Sequence, residues 1–310
     1  MKKIIRNIVE STVNLSSVFF YGKYIPTFFI NVVDSIRCTL LRREIKKRNL
    51  KIFDASDLNK QSNVLFIFGG GESIASLDDD DWSLIKKHDS AALNYFYVHE
   101  FKPNYLFVEL NDDACLVDLF KDYCLNAEGF SDTKIVMQYK HARKTSLFSG
   151  ETFLNEPSSY VPKDLKAFEE DDLRALIKGR RRATLNNLIH HSSHVGAVVD
   201  FALLSNYEEI VLVGVDLNGG KYFYDVESSS NLYRNNEKYE SLSVARKRYF
   251  DSIGEGELDN HQSMNRELTN KYKSIDIYRY FKIVNEIYPN RIKVFNKCSK
   301  LSDIFDVYSK

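Results

Sequence analysis

The chain has 310 residues, of which 44% are hydrophobic and 28% charged, a composition typical of a globular protein with a sizeable core. The formal net charge is zero, which gives no overall case for nucleic-acid binding. Residues 1–60 nevertheless hold twelve Lys and Arg against five Asp and Glu, so this segment carries +7 and the rest of the chain −7. Such a basic end predicts contact with an anionic surface.

The N-terminal segment is apolar, but Lys23 and Pro26 interrupt it, so no uninterrupted apolar span of membrane length is present. Two interpretations remain for residues 1–60, which we expect to form a basic helical extension. The first is an interfacial helix that lies, with the basic helix Arg37–Arg48, on an anionic inner membrane. The second is a helical pair that packs on the domain.

The four cysteines show no C-x-x-C and no zinc-type spacing, and no signal-peptide cleavage site is evident. Reduced thiols are therefore expected, in a cytoplasmic protein that binds the inner membrane peripherally under the first interpretation.

From residue 63 onwards, apolar runs alternate with helical patterns, which favours an α/β fold. We expect a Rossmann-like, mostly parallel sheet with helices on both faces, formed by residues 61–310. Two segments break the rhythm and are predicted to be an irregular insertion at 139–183 and a mobile lid at 217–262. Strands are predicted at 64–68, 90–95, 105–110, 134–138, 209–216 and 292–296, and helices at 114–126, 195–205, 265–288 and 301–308.

The first predicted strand runs into three glycines, Gly69, Gly70 and Gly71, and then into Ser73, where a helix can begin. Glycines let backbone N–H groups approach an anion, and a helix N-terminus favours negative charge, so the segment is typical of phosphate binding. The spacing matches neither a P-loop nor a full G-x-G-x-x-G. A plain strand-to-helix turn is the alternative.

Polar residues close three other predicted strands, and the carboxyl ends of parallel strands are where ligands collect. Asn94 is placed to hydrogen-bond a base or ribose, and Glu109 to accept a hydrogen bond from a sugar hydroxyl or an exocyclic amine. Asp216, followed by Asn218, is either an active-site carboxylate or a cap of the next turn.

Two groups of histidines are candidates for chemistry. His190, His191 and His194 precede a predicted helix, where polar contacts at the helix start are favoured over metal binding. His261 lies at the end of the predicted lid, where a neutral imidazole could act as a general base near pH 7; a surface histidine is the alternative. No hydrolase signature such as G-x-S-x-G or H-E-x-x-H is present.

In order, these residues resemble the bacterial sialyltransferases that modify lipooligosaccharide with CMP-sialic acid. The resemblance covers roughly residues 63–138 and 190–300, and its most specific part is the stretch 206–216. It rests on a glycine turn, a strand that ends in Asn, the 206–216 strand, a lid tyrosine and a lid histidine, here Gly69–Ser73, Asn94, Asp216, Tyr222 and His261.

The resemblance implies a metal-independent glycosyltransferase of a GT-A-like fold that uses a CMP-activated acidic sugar and a surface-glycan or glycolipid acceptor. It implies that Tyr222 donates to the donor phosphate and that His261 deprotonates the acceptor. The implied donor-binding residues are Gly69, Gly70, Gly71, Ser73, Asn94, Glu109, His194, Asn218 and Tyr222.

The chain departs from that pattern at several positions. Gly70 and Glu109 stand where the family has Asn, Asn218 stands where a second phosphate tyrosine is expected, and His191 and His194 replace an Arg and a Ser. Sialic acid, another nonulosonate and Kdo therefore all remain open as the sugar. A retaining transferase would use Asp216 as its nucleophile.

Two other functions remain. A pterin diphosphokinase-like enzyme would use ATP and magnesium, with Asp216 and Glu109 as ligands. A non-catalytic scaffold of polysaccharide assembly would keep the fold and lack the donor contacts.

Overall fold

We analysed a computed structural model of the chain, which describes residues 24–309 except 111, 146, 148–151, 166, 168, 180–183, 192, 218–220, 227–233, 254–274 and 296–298. The described residues form an eight-stranded, entirely parallel sheet in the order β5-β4-β3-β2-β1-β6-β7-β8. This confirms the predicted Rossmann-like α/β fold. The strands are β1 Val64–Phe68, β2 Asp89–Leu93, β3 Tyr105–Val108, β4 Lys134–Gln138, β5 Ser158–Tyr160, β6 Glu209–Val213, β7 Ile292–Val294 and β8 Asp306–Val307.

Helices cover both faces of the sheet, because successive strand side chains enter two different cores. Leu65 and Ile67 of β1 belong to one buried cluster, and Phe66 and Phe68 to the other. The helices are α1 Tyr24–Lys47, α2 Asp79–Ile85, α3 Ala114–Phe120, α4 Tyr139–Ala142, α5 Glu170–Lys178, α6 His194–Leu204, α7 Asn236–Ser252 and α8 Ile277–Ile287.

The strand order reverses beside β1. The chain builds β2 to β5 on one side of β1 and then crosses back to place β6 on the other. In open α/β sheets such a switch point opens a crevice at the carboxyl ends of the two strands, and ligands bind there. The glycine turn that follows β1 therefore lies at the place where this topology puts a ligand.

The segment 139–183 is more regular than predicted. It contains α4, the edge strand β5 and α5. The three-residue β5 pairs with β4, and it was missed because so short a segment shows no periodicity. Because β5 is parallel to β4, the residues that follow it are brought to the same edge of the sheet as the predicted site.

Three further elements differ from the predictions. The predicted lid contains the 17-residue helix α7. The C-terminal segment 301–308 forms a 3₁₀ turn, Lys300–Asp303, and the two-residue strand β8 rather than a helix. The helix predicted at 265–288 is wrong at residues 275 and 276, because α8 begins at Ile277 after its N-cap Asp276, whose side chain accepts the N–H of Arg279; residues 265–274 lie outside the described part of the chain.

Helix α1 packs on the domain through one face, which agrees with the second interpretation of the N-terminal segment over these residues. Cys38, Leu41 and Ile45 are buried against Tyr139 and Val161. No helix in the described part of the chain has the length and apolar character needed to span a membrane.

Candidate functional site

The turn after β1 is tied closely to the end of β6. The N–H of Gly69 donates to the carbonyl of Val213 at 2.8 Å, and the N–H of Gly71 donates to the carbonyl of Gly214 at 2.8 Å. A Cβ atom on Gly69 would lie 2.3 Å from the Gly214 oxygen, so only glycine allows this approach. These two N–H groups are therefore used within the fold and are unavailable to an anion.

The middle glycine is different. The carbonyl of Gly70 accepts a hydrogen bond from Phe223 at 3.0 Å, while its N–H has no partner among the described residues. The ring of Tyr222 covers Gly70, and a Cβ atom there would lie 3.0 Å from a ring carbon. Gly70 and Tyr222, both predicted donor-binding residues, are thus brought together.

Asp216 caps this turn. Its Oδ1 accepts the hydroxyl of Ser73 at 2.6 Å, and its Oδ2 accepts the Ser73 N–H at 3.1 Å. The carboxylate is buried. Of the two roles predicted for Asp216, the geometry describes the cap.

Asn94 connects the ends of β2 and β3 to α6. It follows β2 with a φ of 49°, a left-handed conformation that Asn tolerates better than most residues. Its Oδ1 accepts the N–H of Glu109 at 3.0 Å and lies 2.8 Å from Nδ1 of His194. An amide oxygen can only accept a hydrogen bond, so Nδ1 of His194 must carry the proton and donate it to Asn94. In the neutral imidazole, Nε2 then has a lone pair and is an acceptor.

That second nitrogen of His194 is buried and has no hydrogen-bond partner among the described residues. Burial lowers the pKa of His194 to about 4. The negative charge of Glu109 opposes this shift, and the charges of His190 and His141 add to it. The imidazole is thus neutral at pH 7, and Nε2 can accept a hydrogen bond from a hydroxyl or an amine. The ring lies nearly parallel to that of Tyr160, with 6.2 Å between the centroids.

Glu109 lies among three imidazoles. One carboxylate oxygen is 3.1 Å from Nε2 of His141, and the other is 3.4 Å from Nε2 of His190. Burial raises the pKa of Glu109, but His190, His194 and His141 outweigh it and hold the pKa well below the usual value. Glu109 is therefore an anion whose charge is balanced within the protein.

His190 joins Glu109 to a second carboxylate. Its Nδ1 lies 3.5 Å from Oδ1 of Asp164. The other oxygen of Asp164, Oδ2, pairs with Arg37 at 2.9 Å and with Lys140 at 3.0 Å. Burial lowers the pKa of His190, but Asp164 and Glu109 outweigh it and raise the pKa to about 9. The site thus holds one cationic and one neutral imidazole, His190 and His194, whose environments shift their pKa values in opposite directions.

The remaining predicted residues fall outside this arrangement. His261 and Asn218 lie outside the described residues. His191 faces away from the cluster, with Nε2 2.8 Å from the carbonyl of Ile275 and its ring stacked on Tyr280. Among the described residues, no group of His, Cys, Asp and Glu side chains is arranged to hold a metal ion.

Sequence reasoning missed His141, Asp164 and Arg246. The first two follow β4 and β5, and the rule that ligands collect beyond carboxyl ends could have found His141, three residues after β4. Arg246 lies on α7, and its guanidinium is 4.3 Å from the ring centroid of Tyr222. No sequence signal singles it out from the other basic residues of that helix.

The chain has no significant match among known protein-family models or curated protein sequences.

Proposed function

We propose that the protein is a glycosyltransferase that moves an acidic sugar from a CMP donor to a surface-glycan acceptor without a metal ion. The observation that carries the proposal is the free Nε2 of His194, held by Asn94 beside Glu109 and one strand away from the turn at Gly70. A buried acceptor of this kind suits a neutral polar group such as a cytosine amine or a ribose hydroxyl.

The chemistry follows from the resemblance of the sequence to CMP-sugar transferases. The acceptor oxygen forms a bond to the anomeric carbon as the bond between that carbon and the phosphate oxygen breaks. CMP leaves with the electron pair, and His261 takes the proton of the acceptor hydroxyl. Tyr222, which covers Gly70, stabilises the charge that develops on the phosphate.

The carboxylate geometry favours this proposal over a magnesium-dependent diphosphokinase. Both oxygens of Asp216 accept hydrogen bonds from Ser73, and both oxygens of Glu109 lie beside imidazoles. Magnesium needs several oxygen ligands directed at a common point in near-octahedral geometry. Among the described residues, Asp216 and Glu109 belong to no group of side chains arranged in that way.

We also propose that α1 binds an anionic membrane surface. The face of α1 opposite its packed side exposes Val32, Ile36 and Leu40, of which Ile36 is 56% exposed. Arg43 and Lys47 continue this face at helical spacing and are exposed as well. An apolar stripe beside basic residues fits the interface of an anionic bilayer. We infer a cytoplasmic protein that binds the inner membrane peripherally.

A thermal-shift series with CMP, UDP, GDP and ATP, each with and without magnesium, tests the donor. We expect CMP alone to raise the melting temperature, with no requirement for magnesium. A shift that needs both ATP and magnesium would instead support the diphosphokinase. If no nucleotide shifts the melting temperature, the result would favour a non-catalytic scaffold.

A variant of the proposed base tests the reaction. His261→Ala should abolish sugar transfer from the CMP donor while leaving the affinity for CMP nearly unchanged. His88→Ala is the matched control, because His88 contacts Ser62 at the amino-terminal ends of β1 and β2, at the opposite end of these strands from the glycine turn. Full transfer by His261→Ala would exclude His261 as the base.

A further inference from the structure

Arg246 is a mostly buried cation beside the glycine turn. Its side chain is 13% exposed. Its guanidinium lies 4.3 Å from the ring centroid of Tyr222, 5.3 Å from that of Tyr224 and 5.5 Å from that of Tyr95. Tyr222 covers Gly70, and Tyr95 directly follows Asn94. The guanidinium therefore stands between two parts of the candidate site.

The charge of Arg246 is incompletely matched by the protein. Among the described residues, its anionic partner is Asp225, with 3.7 Å between the nearest nitrogen and oxygen, longer than a hydrogen bond. The phenols of Tyr222, Tyr224 and Tyr95 are its other polar neighbours among the described residues, and that of Tyr222 hydrogen-bonds to it. A guanidinium has five N–H donors, and the described residues use only part of this donor capacity.

The aromatic rings around Arg246 fix its position. Tyr222 and Tyr224 stack with 5.2 Å between the centroids and an interplanar angle of 8°. Contacts between a guanidinium and aromatic faces hold the planar group in one orientation and keep water away from one side of it. A guanidinium that is fixed and partly desolvated binds oxyanions more strongly than a mobile surface arginine does.

We propose that Arg246 binds the phosphate of the nucleotide donor, together with Tyr222 and the N–H of Gly70. The inference rests on the proposed function, because it takes the donor to be a nucleotide. It supplies a cation beside Tyr222, the tyrosine that the resemblance assigns to the donor phosphate.

Calorimetric titration of Arg246→Gln with CMP and with cytidine tests this role. CMP carries the phosphate and cytidine lacks it, so the variant should lose about ten- to a hundredfold in CMP affinity. The affinity for cytidine should stay within the error of the wild-type value. Lys247→Gln is the matched control, since it removes a neighbouring exposed charge from the same helix.

Titration with a CMP-activated acidic sugar shows whether Arg246 binds the phosphate or the carboxylate of the sugar. Loss of affinity for the CMP-sugar alone, with CMP binding intact, would assign Arg246 to the carboxylate and overturn the phosphate assignment. If Arg246→Gln fails to fold, Arg246→Lys serves the same comparison, because lysine keeps the charge and loses the bidentate geometry. It should bind CMP several-fold more weakly and cytidine normally.

The two proposals fail in different ways. Wild-type protein that binds no CMP would overturn the proposed function and this inference together. Wild-type protein that binds CMP, with Arg246→Gln binding it equally well or losing CMP and cytidine affinity alike, would overturn the role of Arg246 alone.

Discussion

Ser73 and Asp216 are joined by two hydrogen bonds across the crevice between β1 and β6, one from the serine hydroxyl at 2.6 Å and one from the serine N–H at 3.1 Å. The carboxylate thereby holds the start of the 3₁₀ turn Glu72–Ser76 against the end of β6. The shape of the glycine turn depends on this pair.

We expect the hydrogen bonds between Ser73 and Asp216 to stabilise the protein. Ser73→Ala removes a hydrogen bond to a buried carboxylate and should lower the free energy of unfolding by about 1.5–3 kcal/mol, measured by urea denaturation. Asp216→Asn should cost less, because the amide can accept from the Ser73 N–H and donate to its hydroxyl. Ser83→Ala, at an exposed serine of α2, is the control and should change stability by less than about 0.5 kcal/mol.

Asp216→Asn also tests whether Asp216 is a nucleophile. We expect this variant to retain sugar transfer, since the amide preserves the turn. Complete loss of transfer in a protein of normal stability would contradict the capping role and favour a retaining reaction.

The three glycines should respond differently to alanine. A Cβ atom on Gly71 would lie 2.1 Å from Oδ2 of Asp216, and one on Gly69 would lie 2.3 Å from a backbone oxygen. Gly69→Ala and Gly71→Ala should therefore each destabilise the protein by about 1–3 kcal/mol. Gly70→Ala contacts only the ring of Tyr222, at 3.0 Å, so it should melt near the wild-type temperature.

Gly70→Ala should nevertheless weaken CMP binding, because its methyl group displaces the ring that covers the proposed phosphate site. Calorimetry and thermal melting of the three variants check both expectations. The interpretation would be wrong if Gly70→Ala were as unstable as the other two, or if it bound CMP as well as the wild type.

The fold could be predicted because its central strands are almost entirely buried and mostly apolar, although β2 begins with Asp89 and Ser90. All five residues of β2 are buried, as are four of the five in β1 and in β6. The edge strands β5 and β8 contain three and two residues, too few for any periodicity to appear. Their existence depends on pairing with β4 and β7, a tertiary effect that local sequence does not encode.

The site was predictable only where residues follow long strands. Asn94 and Glu109 were found by their position after β2 and β3, and the structure joins them by a hydrogen bond. Asp164 required β5 to be known, and Arg246 required the packing of α7 on Tyr222. For Asp216 the sequence allowed two roles, because only the geometry shows that Ser73 occupies both oxygens.

Membrane association should depend on the exposed face of α1. The double variant Ile36→Ser, Leu40→Ser should sediment less with vesicles that contain anionic phospholipid, because both side chains are exposed and apolar. Its melting temperature should match the wild type, since neither residue contributes to the packed face. Leu154→Ser is the matched control, an exposed leucine of the segment after α4.

The charge on this face gives a second readout. Wild-type binding should weaken as salt increases and should be slight on vesicles of zwitterionic lipid alone. If the double variant and Leu154→Ser both sediment with vesicles as much as the wild type does, α1 does not contact the membrane.

The two buried histidines predict how stability depends on pH. His190 has a folded pKa of about 9, above its unfolded value, so its contribution is complete below about pH 6.5 and is lost as the pH rises towards 9. His194 has a folded pKa of about 4, below its unfolded value, so protonation of the unfolded state destabilises the fold as the pH falls from about 6.5 towards 4. His99, whose pKa burial lowers to about 3, adds to the acid side.

Urea denaturation of wild type and His190→Gln at intervals from pH 5 to 9 isolates the contribution of His190. A shift of this size corresponds to at most about 3 kcal/mol, so the stability advantage of the wild type should shrink by up to that amount between pH 6.5 and 9. Glu109→Gln removes a carboxylate beside His190 and should move the same decline to lower pH. His88→Gln, remote from the cluster, should parallel the wild type. A difference between wild type and His190→Gln that stays constant over this range would show that His190 is not held as a cation between Glu109 and Asp164.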